Sequence, residues 1–95
     1  MKILVVCIKL RASWVHSLKE KRMIVLSICK RLRNKFNVAV SEVDNQDLHQ
    51  IISIGITSLG TSKNVLYGMK EEIISFIEEN TDAELLEIEE EIMEY

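Results

Sequence analysis

Residues 83–95 read AELLEIEEEIMEY, and the element they form decides the fold. Alone they are ambiguous. Leu86 and Ile88 alternate as on a strand, while Leu85, Ile88 and Ile92 also fit one stripe of a helix. The preceding chain resolves the choice. After Gly60, Thr61 or Ser62 can cap a helix whose stripe Leu66, Met69, Ile73, Phe76 and Ile77 ends near Asn80, with Gly68 a local weakness inside it. Residues 37–43 and 48–59 alternate on either side of the turn-rich Asp44-Asn45-Gln46-Asp47, as the two strands of a hairpin do. In the second of these, Ile52, Ile54 and Ile56 form a core face and leave Ser53, Gly55 and Thr57 opposite. In the first, Val38 and Val40 are out of phase with Val43, which predicts a bulge near Ser41. Further back, Ser17 and Glu20 form a capping box that starts a helix at about Leu18, with the stripe Leu18, Val25, Ile28, Cys29, Leu32 and Phe36. Residues 3–11 are a strand with one buried face, Leu4, Val6, Ile8 and Leu10. Its other positions begin as Ile3, Val5 and Cys7 and end as Lys9 and Arg11.

The order strand, helix, strand, strand, helix leaves a four-stranded antiparallel sheet one strand short, so residues 83–95 are read as that strand. The prediction is an α+β, ferredoxin-like βαββαβ sandwich, a single domain over residues 1–95, with both helices on one sheet face. The other face, carrying Ile3, Val5, Cys7 and Ile51, then lacks a cover. An apolar face of that kind predicts homodimerisation.

Composition places the chain among globular proteins: 47% of its 95 residues are hydrophobic and 28% charged. The first apolar run, Ile3 to Ile8, is closed by Lys9 and Arg11 with no small-residue cleavage pattern, so it is read as a strand and not as a secretory signal. No apolar stretch approaches the roughly 18 residues needed to span a bilayer. A cytoplasmic protein with no membrane partner is expected. Cys7 and Cys29 lack the spacing and neighbours of a metal cluster and read as free thiols.

Charge is divided unevenly. Residues 1–40 carry ten Lys and Arg against one acid, a net +9, and residues 41–95 carry two Lys against fourteen acids, a net −12. Such a division points to a polyanion-binding surface or to two halves that neutralise each other. At the start of the first helix, HSLKEKR (16–22) crowds Lys19, Lys21 and Arg22 into a place where the amide dipoles favour negative charge. A phosphate held there would repay the repulsion. Trp14, His16 and Ser17 lie beside it, Trp14 and His16 as stacking surfaces, and Lys30, Arg31 and Arg33 extend the patch along the helix. The competing reading is an ordinary capped helix with solvated lysines, Glu20 already filling the cap. The acids of the last strand, Glu87, Glu89 and Glu91, could also face Lys9 or Arg11 across the sheet.

A second polar group lies at the hairpin end: Glu42, Asp44, Asp47 and His49, residue types suited to acid–base chemistry or a divalent cation, but equally to a turn. Alternation can turn Glu42 inward, where it would need Arg22, Arg33 or a backbone donor. Base stacking on the sheet is excluded, because its outer positions, Val5, Cys7, Ser53, Gly55 and Thr57, hold no aromatic residue. The loop after the first strand contains no glycine, unlike the phosphate loop of acylphosphatases of this fold. No phosphate-binding glycine motif, nucleophile elbow or zinc spacing occurs, so neither catalysis, a cofactor nor a metal is expected.

His16-Ser17-Leu18-Lys19-Glu20-Lys21-Arg22, then Arg33 to Asp44, then Gln46-Asp47, resemble the signature of the YlxP-like small bacterial proteins, a family of unknown function. The resemblance spans nearly the whole chain. It implies a ferredoxin-like fold and, because genes of this family often sit among translation and ribosome-maturation genes, an RNA-related role. Where similar proteins carry an aromatic residue two positions after Gln-Asp, this chain has His49. The expectation is a non-catalytic, RNA- or ribosome-associated homodimer. The alternative is a dimeric protein-interaction module that uses the open sheet face without binding nucleic acid.

Overall fold

A computed structural model describes all 95 residues. The elements are β1 (Lys2–Arg11), α1 (Leu18–Lys35), β2 (Ala39–Asp44), β3 (Ile51–Gly60), α2 (Lys63–Asn80) and β4 (Glu84–Glu94). The four strands form one antiparallel sheet in the order β2-β3-β1-β4. This is the ferredoxin-like α+β arrangement, and residues 83–95 do supply the missing strand.

Two irregularities explain what the sequence left ambiguous. Between Lys9 and Leu10 the register of β1 with β4 shifts, so that Ile8 faces Ile88 while Leu10 faces Leu85, and Leu86 is the extra residue. Leu85, Ile88 and Ile92 therefore share the helix side of the sheet. Their spacing of three and then four residues imitates a helical stripe because a bulge has inserted one residue into a strand. The second shift falls between Glu42 and Asp44, so the bulge expected near Ser41 stands two residues further on, at Val43. Val43 lies across Gly55, where a Cβ would stand 2.6 Å from Val43 Cγ1. The glycine is needed for that close approach.

The core lies between the sheet and both helices. Leu4, Val6, Ile8 and Leu10 of β1 and Ile52, Ile54 and Ile56 of β3 are fully or almost fully buried. Phe36 and Phe76 close the far end edge-to-face, with ring centroids 5.8 Å apart. Both helices begin as expected: Ser17 Oγ accepts from Glu20 N–H at 3.1 Å and Ser62 Oγ from Val65 N–H at 3.3 Å. Lys70 joins α2 to β4 by reaching Glu90 as well as its neighbour Glu71. Hydrogen bonds to those two carboxylates raise its pKa, so it stays charged across neutral pH. No helix is long and apolar enough to cross a membrane.

Candidate functional site

The strand-to-helix junction is held from two sides. Ala12 N–H donates to Gln50 O at 2.8 Å, and Gln50 Nε2 donates back to Ser13 O at 3.1 Å and Val15 O at 3.2 Å. These bonds fasten the β1–α1 loop to the β2–β3 loop, with Val15 fully buried between them. Glu20 completes the cap by accepting from His16 N–H at 3.4 Å, one residue earlier than the capping box predicts.

Lys21 departs most from the expected anion site. Its side chain is 1% exposed, and Nζ donates to Asn45 O and to Leu48 O. Nζ also lies 2.9 Å from Glu42 Oε2, which takes no directed hydrogen bond, so the attraction there is Coulombic. The reason is positional. Lys21 follows Leu18 by three residues and precedes Val25 by four, so it sits on the buried stripe of α1, whereas Lys19 and Arg22 do not. Glu42 does turn inward, but its partner is Lys21 and not Arg22 or Arg33. The signal was present in the sequence as a lysine at a stripe position facing an inward carboxylate.

Asn45 occupies the left-handed region at φ 57, takes Ser53 Oγ on its Oδ1 at 2.6 Å and accepts Lys21 on its carbonyl. Asp44 accepts from Asn45 N–H at 2.8 Å, as turn aspartates do. Asp47 and His49 are exposed and belong to no cluster able to hold a metal ion. The hairpin end is thus an internally bonded turn. Lys21 of HSLKEKR joins that turn to α1 through Glu42 and Asn45 of SEVDNQD.

The other cations remain outside. Lys19, Arg22 and Lys30 are exposed and make no ion pair, while the ion pairs of the chain go to the N-terminus, Lys2, Lys9, Arg11, Lys21 and Lys70. Arg33 reaches Val40 O at 3.3 Å on the β2 side, and Arg31 reaches Asn80 Oδ1 at 3.4 Å on the α2 side. The patch therefore has an outer strip, Lys19, Arg22 and Lys30, and two flanks. Two apolar residues interrupt the strip, Met23 and Leu26, exposed by 65% and 67%. Sequence reasoning placed neither on this surface. Trp14, 45% exposed, stands on the α2 flank, where it lines one groove with Arg31.

On the open side of the sheet the register puts Ile3, Val5 and Cys7 beside Leu59, Thr57 and Gly55, and Arg11 beside Ile51. The face divides into an apolar half at the Ile3 end and a charged half. In the charged half Lys9 pairs with Glu87 at 3.6 Å and Arg11 with Glu84 at 3.7 Å. Glu89 and Glu91, opposite Cys7 and Val5, pair with no cation. Burial, then Glu89, pushes the Cys7 thiol up, and burial does the same for Cys29, which keeps both protonated and poor as nucleophiles.

Residues 3–90 match the family described as Protein of unknown function (DUF503). The chain belongs to that family. The uncharacterized protein YlxP of Bacillus subtilis (strain 168) is 37% identical to this DUF503 chain over 68 residues, which are 72% of this chain and 74% of that protein.

Proposed function

We propose that this DUF503 protein is a non-catalytic RNA- or ribosome-associated factor that lays the outer face of α1 against a phosphate backbone. One observation carries the reading: Lys19, Arg22 and Lys30 make no ion pair in a chain with more acids than bases. Acids that could have neutralised them lie on β4 and α2, where they meet other cations or water. The surplus positive strip is an electrostatic footprint for a polyanion. Lys21 is outside this proposal, being structural.

The test is binding of structured and single-stranded RNA over a salt series, with Lys19→Glu, Arg22→Glu and Lys30→Glu combined. All three side chains are exposed, so the fold should persist. Affinity should collapse, and the slope of log K against log salt should shrink by about 2 or 3, one counterion step per lost phosphate contact. Unchanged affinity would reject the site.

A second reading has its own support. The apolar half of the open sheet face leaves Leu59 64% and Met93 41% exposed on either side of Ile3, with Val5 itself 38% exposed on the same face. We propose that a second copy covers it, giving a homodimer. Without RNA binding, this face alone would make the protein a dimeric interaction module.

A further inference from the structure

We propose that the groove between α1, the β1–α1 loop and the α2–β4 connection takes one unpaired nucleobase, guanine by preference. The base would stack on Trp14, with its hydrogen-bond donors on Asp82. The inference deepens the reading of α1 as an RNA-binding face and rests on it.

The groove measures about 340 Å³, and its lining includes the apolar Trp14, Met23, Ile24 and Ile28 and the charged Arg31 and Asp82. That size is enough for a single planar ring system. Trp14 leaves a large aromatic surface wet, and a base supplies a π-face to cover it whatever its identity. Identity comes from the polar lining. Asp82 makes no ion pair, and an ionised carboxylate only accepts hydrogen bonds. The edge it meets must therefore donate. Guanine offers adjacent N1–H and N2–H donors to the two carboxylate oxygens, while adenine and cytosine offer an amino group and uracil one imino N–H. In a duplex those donors are already used, so the base must come from a single strand or a free nucleotide. Arg31 spends one long bond on Asn80 and has further N–H groups for a phosphate. Met23 joins the groove to the cationic strip, four residues after Lys19 and seven before Lys30.

Trp14 is the only tryptophan in the chain, so its emission reports the groove directly. The intact protein is titrated with GMP, AMP, CMP and UMP, and with end-labelled oligouridylates that either contain or lack one guanosine. Emission is read beside label anisotropy. The expected result is saturable quenching at lowest concentration by GMP and by the guanosine-containing strand. Asp82→Asn should reduce that strand to the affinity of plain oligouridylate. Trp14→Ala should weaken strand binding roughly 5- to 150-fold with an unchanged far-UV spectrum. A salt-sensitive rise in anisotropy with constant emission, and a Trp14→Ala protein that binds as tightly, would overturn the groove and leave the α1 reading intact. Guanine-selective quenching by GMP without strand binding would keep the groove as a free-nucleotide site and overturn the α1 reading. Binding by neither probe, or quenching by aromatic peptides alone, would overturn both.

Discussion

Lys21 and Glu42 show how a cation that reads as functional becomes structural. An ammonium 1% exposed is tolerable only when it is compensated, and here two carbonyls accept from it while Glu42 supplies the counter-charge. Replacing Lys21 by Met leaves Glu42 without its counter-charge and the carbonyls of Asn45 and Leu48 without a donor. The expected loss is about 2–4 kcal/mol, below the top of the range for buried pairs because Glu42 keeps some contact with water. Glu42→Gln alone should cost less, about 1–2 kcal/mol, since Lys21 retains both carbonyls. The double variant should recover only the charge part of the Lys21→Met loss. Urea denaturation of the three variants measures this, and three additive losses would refute the coupling. RNA affinity per folded molecule should not change, in contrast to the Lys19, Arg22 and Lys30 reversals. Charge in the sequence is visible, but burial of a charge is a property of stripe position. Lys21 was legible only by treating a lysine as a candidate for an apolar stripe.

At the level of elements, the helices were legible to within a residue or two because cap chemistry marks their starts and the periodic stripes run their length. The strand faces were legible as well, down to Ile52, Ile54 and Ile56 facing the core. Bulge positions were not, since an inserted residue alters phase without leaving a residue type that marks it. In β4 it made a strand resemble a helix, and in β2 it stood at Val43, beyond the predicted Ser41. The glycines separate these effects experimentally. Gly68 lies mid-helix and exposed, and a Cβ there would meet nothing within 4 Å. Gly68→Ala should raise stability by about 0.5–1 kcal/mol through the unfolded chain alone, and Tm by roughly 2–8 °C. Gly55→Ala should do the reverse by about 1 kcal/mol or more, because its Cβ would press on a β-branched side chain with little freedom to turn away. Truncating Val43 to Ala as well should recover much of that loss. Thermal melts of the three variants check both signs, and a neutral Gly55→Ala would argue against the Val43 bulge.

Across the whole molecule the uneven charge resolves into a cationic outer face of α1 and an acidic β4 and α2. Of the cations of α1, the −12 half neutralises only Lys21, through Glu42. It lines β4, where Lys2, Lys9 and Arg11 take Glu94, Glu87 and Glu84, and it covers exposed positions of α2. One consequence concerns assembly. A twofold axis lying in a face-to-face interface, at right angles to the strands, would set Glu89 and Glu91 over their own copies. An axis parallel to the strands sets them over the partner's β2 at the level of Ala39 and Ser41, with Asp44 further along the same side. The second arrangement keeps Glu89 and Glu91 off their own copies while it buries Val5, Leu59 and Met93. Val5→Asp places a carboxylate at the centre of the apolar half, beside Glu91, and should shift the sedimentation mass from dimer to monomer at micromolar protein without unfolding it. Ionic strength gives a second check. If this face is the contact, the dimer should weaken little with added salt, because apolar area and not ion pairing would hold it. A mass unaltered by Val5→Asp would remove this face as the contact.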